Sequence, residues 1–479
     1  MALREAASRP SWHPDVALMA TAAQMGQFTI DRTGAKSPKN ADLYGRLHFG
    51  VGGQTGRWLG RLLVRGALSG ELLSGGWGGL TPLPGDRLPA SREGKLEPTE
   101  AWLGVNWNHI AELRGGLMGS SWGNGLVARD GRAQAMDQQW FYVPTVGDRV
   151  VRGALVLTPF RNTSSALRGL AVSFAVDRVF ADDVLYEGDS ASQLVGSVRW
   201  FVAEDQWLGL YYAGRSQTAD SGRGLDVSLV DAAFDVKVAT PLAPLRLQGE
   251  AALIAGTTTL APSPDFAKHD VLQGAAQLRS TAQLTPGLRA QLDLAWLSGD
   301  ANLGDGQVSA FKADPNAQLG IVLFPRVLAW QSGRARLTAS DPNLVGQPPE
   351  DLDRLATGGA LTNSWVVFPK LGHTFLQRGE VYGGALLAWT SVPLADPRWT
   401  VSEGAGSPRN FLGNAATSSL LGAEFDAGVR WRMPVPHYPA HLLLCAEAGV
   451  LLPGGALAGL NDPIPAGRVT LAWLGHEAP

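Results

Sequence analysis

The sequence predicts an all-β chain, a transmembrane antiparallel up-and-down β-barrel of about 18 strands, with about 16 as the alternative, and an inserted loop constricting the lumen. The first reason is alternation. Along Leu421 to Arg432, Leu421, Ala423, Phe425, Ala427, Val429 and Trp431 fall on one face, and Gly422, Glu424, Asp426, Gly428, Arg430 and Arg432 on the other. The second is recurrence. Leu288, Leu292, Leu294 and Trp296 oppose Arg289, Gln291 and Asp293, and Leu442, Leu444 and Ala446 oppose Cys445 and Glu447. Repeated dyads of this kind suit a wall with lipid on one side and water on the other. The third is composition: 59 Gly, 16 Trp and only 17% charged residues fit tight turns and interfacial rings better than a helical bundle. No run of about 18 apolar residues supports a transmembrane helix.

Residues 1–41 carry scattered Pro, Ser, Lys and Asn and are expected to form an N-terminal extension or plug segment, with residues 42–479 forming the barrel. Export to an outer membrane needs a signal peptide, and Met1 to Gln27 offers only the short apolar piece Val16 to Ala23. The native signal is therefore expected to be missing from this chain, the competing reading being a protein that stays in the cytoplasm. Strands begin at Leu43 to Val51 and Arg57 to Leu68, followed by the loop GGLTPLPGDRLPASREG after Trp77. Thr99 to Trp107 and Ile110 to Ser120 form a hairpin through Asn108-His109. Further strands are expected at 138–145, 149–158, 168–177, 194–203, 206–215, 225–238, 245–256, 271–284 and 288–298, with a bulge near Val230 reconciling the two apolar phases of 225–238. Residues 299–359 are mostly loop, expected to enter the lumen, and the apolar run Leu319 to Trp330 reads as a strand or a folded-in segment. Strands resume at 362–368, 377–389, 421–432, 441–452 and 468–474.

Trp107, Trp207, Trp296, Trp389, Trp431 and Trp473 lie near strand ends, as an interfacial girdle requires. The inward faces carry Arg46, Arg61, Arg65, Arg114, Arg199, Arg246, Arg289, Arg378, Arg430 and Arg432, opposed by Glu250, Asp293, Glu380, Glu424 and Asp426 among others. Charged residues lining a lumen set ion selectivity, and the planar fork of arginine suits carboxylates and phosphates. The two signs are nearly balanced, which predicts a general or weakly anion-preferring pore.

Other chemistries find little support. Gly119 to Gly123 matches G-x-S-x-G around Ser121, but a nucleophile elbow needs a helix next and NGLVARDG is none. The oxygen-rich stretch from Ser298 to Gly306 reads as a turn rather than a calcium loop. The histidines lack metal-ligand spacing, and the single cysteine, Cys445, reads as a lumen-facing filler beside Glu447. No cofactor is expected. The net charge of -3 provides no basic field for nucleic acid.

The strand ending in LDLAWLSGDANLGDG and running on to SAFKADP, the SSWGNG stretch between Trp107 and Gly131, and LGAEFDAGV together resemble the alginate-export type of outer-membrane porin. That resemblance implies an 18-stranded monomer whose arginine-rich lumen, narrowed by inserted loops, passes an anionic polysaccharide. The expectation from the sequence is an outer-membrane channel for small hydrophilic or anionic solutes, or for an exported polysaccharide. Its partners would be outer-membrane lipid and a periplasmic or surface protein. The alternative is a plugged barrel that anchors an envelope partner.

Overall fold

Alternating chemistry along the strands becomes an inside-out molecule. A computed structural model describes residues 11–37, 42–58, 62–74, 96–186, 188–241, 243–260, 266–302, 304–339, 356–436 and 440–475. Its strands are β1 (Ser11–Met25), β2 (Asp42–Trp58), β3 (Leu62–Ser74), β4 (Leu96–Trp107), β5 (Ala111–Gly119), β6 (Arg149–Leu157), β7 (Leu170–Ala181), β8 (Ser190–Ala203), β9 (Gln206–Thr218) and β10 (Gly224–Val238). They continue with β11 (Leu245–Thr258), β12 (His269–Thr285), β13 (Leu288–Leu297), the two-residue β14 (Gln307–Val308), β15 (Ser364–Phe375), β16 (Gly379–Trp389), β17 (Leu420–Pro434), β18 (Ala440–Pro453) and β19 (Ile464–Gly475). Successive strands pair antiparallel; β14 is the exception, lying parallel to β12 and leaving β13 to pair with β15. Because β1 pairs with both β2 and β19, the remaining 18 strands close into a barrel without edges.

The expected strand number is right although two elements are not. Ser11–Met25, expected in an extension, is a wall strand. Its chemistry hides it, since its outward Ala20 and Ala22 and its inward Ala17 and Ala23 are the same residue type. The run at 138–145, expected as a strand, lies in the connection between β5 and β6 and folds into the lumen. There Trp140 stacks on Tyr382 at 5.6 Å and Phe141 on Phe368 at 5.7 Å. The loop expected at 78–94 lies outside the described residues.

Leu18, Leu43, Leu103, Phe174, Val176, Leu210 and Phe425 are exposed, whereas Glu71, Asp177, Asp231, Asp293, Glu424 and Arg430 are buried. A water-soluble protein does the opposite, so this outer surface belongs in hydrocarbon. Among the described residues no helix is long and apolar enough to cross a membrane; strands would do the crossing. On β15, Trp365 and Phe375 lie ten residues apart on the outer face. At about 3.3 Å per residue and a tilt of about 40°, that separation is about 25 Å along the membrane normal, the height of an apolar band. Trp296, Trp365 and Trp389 sit side by side across three strands at one end of this band, and Phe375 packs on Trp431 at the other.

The tightest turns and the longest connections lie at opposite ends of the barrel. Tight turns at Asn108-His109, Glu204-Asp205 and Pro286-Gly287 mark one end, and long segments leave the other. Asn108 and His109 both adopt left-handed φ, 51° and 59°, which matches the twist of a two-residue hairpin. Three long-end segments fill much of the lumen. One is a small hairpin bridged at Thr29 and Lys36, folded back from the end of β1. Another is the 120–148 connection. The third is the described part of the connection between β13 and β15, residues 298–302, 304–339 and 356–363, in which a π-helix, Leu323–Leu328, runs into an α-helix, Ala329–Ala339. Together they build an apolar core inside the barrel from Phe28, Val322, Leu323, Phe324, Leu328 and their wall neighbours Leu297, Leu421 and Leu451.

That interior core explains two departures from simple alternation. Val227 and Leu229 face inward on a β10 that pairs with β9 and β11 without a register shift, so no bulge near Val230 exists. Leu421, expected outside, is buried against the core, because the pairing slips by one residue beside Gly422, whose φ is +152°.

Candidate functional site

The inserted segments leave an open cavity of about 880 Å³ against the inner wall of β9 to β13. On the wall side it is lined by Trp207, Asp235, Arg246, Gln248, Gln277, Arg279, Arg289, Gln291 and Asp293. Facing them across the space is the 120–148 connection, with Trp122, Asn124, Arg129, Arg132, Gln134, Asp137 and Gln139. Each polar wall residue projects inward because it shares parity with a buried neighbour on its strand; Gln277 and Arg279, for instance, follow Val271 and Ala275.

The ion pairs of this wall are asymmetric. Arg246 donates from Nε and Nη2 to both oxygens of Asp235, at 2.7 and 2.6 Å. Arg279 donates to Asp293 at 2.8 Å, and Arg289 to Glu380 at 3.0 Å. The arginine side chains are 44%, 26% and 25% exposed, whereas their partners Asp235, Asp293 and Glu380 are 7%, 4% and 7% exposed. Nearly balanced charge therefore presents its cationic half to the water. On this wall the groups offered to a solute are guanidinium heads, whose planar fork suits carboxylates.

The lumen charges farther from this cavity hold the inserted segments. Glu424 is sealed beneath the 319–328 segment, and its carboxylate accepts the N–H groups of Ile321, Val322 and Leu323 at 2.5, 2.8 and 2.7 Å. Asp426 lies buried beside it. Glu250 anchors the 120–148 connection in the same way, accepting from the backbone of Asn124 at 2.5 Å and Leu126 at 3.1 Å. Next to it Trp122 donates its indole N–H to Asp231 at 2.7 Å. Arg46, paired with Glu71, donates to the carbonyls of Gly131 and Thr145.

Several sequence-predicted lining residues thus have other places. Arg430 is buried, donating to Glu380 at 2.6 Å and to the carbonyls of Met136 and Gln139. Arg432 holds Asp137 at 2.5 Å. These two clamp the connection because it passes directly over β17. Arg65 and Arg114 share Glu112 near the short-turn end of the wall. Arg378, expected in the lumen, sits exposed on the turn after Leu376 and Gln377, whose left-handed φ values of 48° and 60° delay the start of β16 to Gly379. Arg61 lies outside the described residues. Trp207, expected in the girdle, faces the lumen, with its ring centroid 6.2 Å from that of Trp122. Trp107, Trp296, Trp389, Trp431 and Trp473 lie on the outward parity of their strands.

Arg279 carries no mark in the sequence reading, although the polar residues at odd positions of β12 (Gln273, Gln277 and Arg279) give the signal. Arg129 and Arg132 sit in a loop, where no periodicity exists to show them. Ser121 lies at an exposed loop position followed by Gly123 and Gly125 at positive φ, with no helix directly after it. Asp300 spends its oxygens on the N–H groups of Asn302 and Ser309, as a turn residue does. Cys445 is buried in the lumen-side cluster around Leu443 and Ala472.

No family model matches the chain, and no curated protein matches its sequence. Solved structures do match it over nearly its whole length. They include Pseudomonas aeruginosa OccK2 (OpdF) in complex with glucuronate, at TM-score 0.53 and 9% identity over 96% of this chain and 98% of that one. OccK11 (OpdR) of the same organism aligns at TM-score 0.51 and 11% identity over 98% of each chain. Pseudomonas aeruginosa OpdK with vanillate aligns at 0.50 and 11% over 96% of this chain and 98% of that one. The chain therefore has the 18-stranded barrel fold of these Occ/Opd proteins rather than a demonstrated alginate-export membership.

Proposed function

We propose that the protein is an outer-membrane channel for small hydrophilic solutes with a preference for organic anions. The observation that carries this reading is the cavity wall, where Arg246, Arg279 and Arg289 stand exposed over buried carboxylates. An apolar exterior of membrane height supports placement in lipid, and the short turns support a periplasmic position for the Glu204-Asp205 end. The structural neighbours crystallised with glucuronate and vanillate both hold carboxylates, which agrees with arginine-led selection. Polysaccharide export, implied by the sequence resemblance, rests on short motifs alone, and a cavity narrowed by three inserted segments suits small solutes better.

The test is single-channel recording in a planar bilayer under a salt gradient. Wild type should conduct with anion preference, and Arg246→Gln combined with Arg289→Gln should move the reversal potential towards cations. An unchanged reversal potential in the double variant would sink the assignment.

A further inference from the structure

Among the described arginines on the inner wall, Arg199 alone has no carboxylate. Arg46, Arg65, Arg114, Arg149, Arg152, Arg215, Arg246, Arg279, Arg289, Arg430, Arg432 and Arg468 each lie within ion-pair distance of an acid. Arg199 is instead boxed by rings. Its guanidinium carbon lies 4.4 Å from the centroid of Trp207, 4.8 Å from Trp122 and 5.9 Å from Phe201. Its Nε is buried and makes no hydrogen bond.

The box has a built geometry. Gly209 faces Arg199 across the β8–β9 ladder, and a Cβ there would stand 2.8 Å from the Trp122 ring. Glycine at that position lets the indole lie against the wall. Trp122 is held from behind by its bond to Asp231 and by stacking on Tyr211 at 4.9 Å. Trp122 and Trp207 both also line the cavity, so the boxed arginine lies at the cavity's margin. Its place on β8, five residues before the Glu204-Asp205 turn, sets it towards the periplasmic end.

Resting on the channel reading above, we propose that Arg199, Trp122 and Trp207 form a separate release-side binding site for small organic carboxylates with a flat apolar body. Ring quadrupoles hold the guanidinium in place without neutralising it. Its hydrogen-bonding edge thus remains uncommitted, whereas the same edges of Arg246, Arg279 and Arg289 are partly occupied by wall carboxylates. A carboxylate meeting Arg199 supplies the acid partner that the other arginines already have. The flanking indoles then favour an aromatic or planar body over a fully hydroxylated one.

The experiment pairs calorimetric titration of the detergent-solubilised barrel with bilayer recording, using sodium benzoate as probe and sodium gluconate as the equally charged, hydroxylated comparison. Wild type should bind benzoate more tightly than gluconate, and benzoate added on the short-turn side should block at lower concentration than on the long-loop side. Arg199→Gln, checked for folding by heat-modifiable gel migration, should weaken benzoate binding at least tenfold and abolish the sidedness, with Arg199→Lys intermediate. Wild-type benzoate affinity and sidedness in Arg199→Gln would overturn the site and leave Arg199 as a brace for Trp122. Arg199-dependent binding in a barrel that does not conduct would keep the site and defeat the channel reading. Binding that disappears in Arg289→Gln but persists in Arg199→Gln would overturn the site and keep the channel.

Discussion

Replacing Glu424 with alanine should release the segment that fills one side of the lumen. The side chain is fully buried, and its two oxygens accept three consecutive backbone N–H groups at 2.5–2.8 Å. A hydrogen bond to a charged acceptor contributes about 1.5–3 kcal/mol, and a donor left buried without a partner costs about 1–3 kcal/mol. Three such donors sharing one carboxylate are not additive, so a net loss of about 3 kcal/mol for the 319–328 segment is a conservative figure. At about 1.4 kcal/mol per decade, local opening becomes about 100-fold more frequent. Hydrogen–deuterium exchange followed by mass spectrometry reads this directly on peptides covering Ile321 to Leu328. Glu424→Gln should fall between, because its carbonyl still serves Ile321 and Val322 while its amide opposes the N–H of Leu323. A change below about threefold in Glu424→Ala would refute the reasoning, and would mean that apolar packing of Val322, Leu323 and Phe324 holds the segment unaided.

Asp314, in an inserted segment, is pushed up to about 7, chiefly by burial, against the pull of the Asn316 and Arg129 backbone N–H groups. A carboxyl is ordinarily near 3.9, so the folded segment keeps a proton over about pH 4–7 that the released segment has lost, and its stability falls as pH rises through that window. Exchange of peptides around residues 126–131 and 311–318, corrected for intrinsic rate, should be faster at pH 8 than at pH 5.5, and Asp314→Asn should remove the difference. Arg430→Gln should raise open-channel noise in bilayer recordings, because it frees the carbonyls of Met136 and Gln139, and should shift ion selectivity less than Arg246→Gln with Arg289→Gln, because Glu380 keeps Arg289 as its partner. Gly209→Ala should push the Trp122 ring off the wall and strain its bond to Asp231. Single-channel noise and a shifted mean conductance would record that displacement, and traces matching wild type would refute it.

Strands were legible wherever the two faces differed in chemistry. β13 and β11 read cleanly, because Leu, Ala and Trp face lipid while Arg, Gln and Asp face water. β1 was missed since alanine occurs on both of its faces, and burial, which does alternate there, is invisible in the letters. The aromatic run Trp140 to Val143 misled for the opposite reason: apolar residues in this chain have two destinations, the lipid and a core inside the barrel. The same second destination accounts for Val227, Leu229 and Leu421. Charge was legible by parity but not by task. Glu424, Glu250 and Arg430 bind backbone groups of segments about 100 or more residues away in sequence, and no local pattern encodes such a partner. Arg246 and Arg289 bear the same letter and the same parity as Arg430, yet only they reach the water.

The pairing of β1 with β19 joins residues some 450 positions apart. No earlier part of the chain can satisfy the free edge of β1 on that side, so the cylinder stays split until the final strand has been delivered. Contacts of such sequence separation form slowly, and a split sheet in hydrocarbon leaves a row of backbone groups without partners. Assembly should therefore finish in one concerted zipping at the β1–β19 seam. A chain cut before Ile464 would expose two raw edges at once, on β1 and on β18, and invite pairing with a second truncated copy.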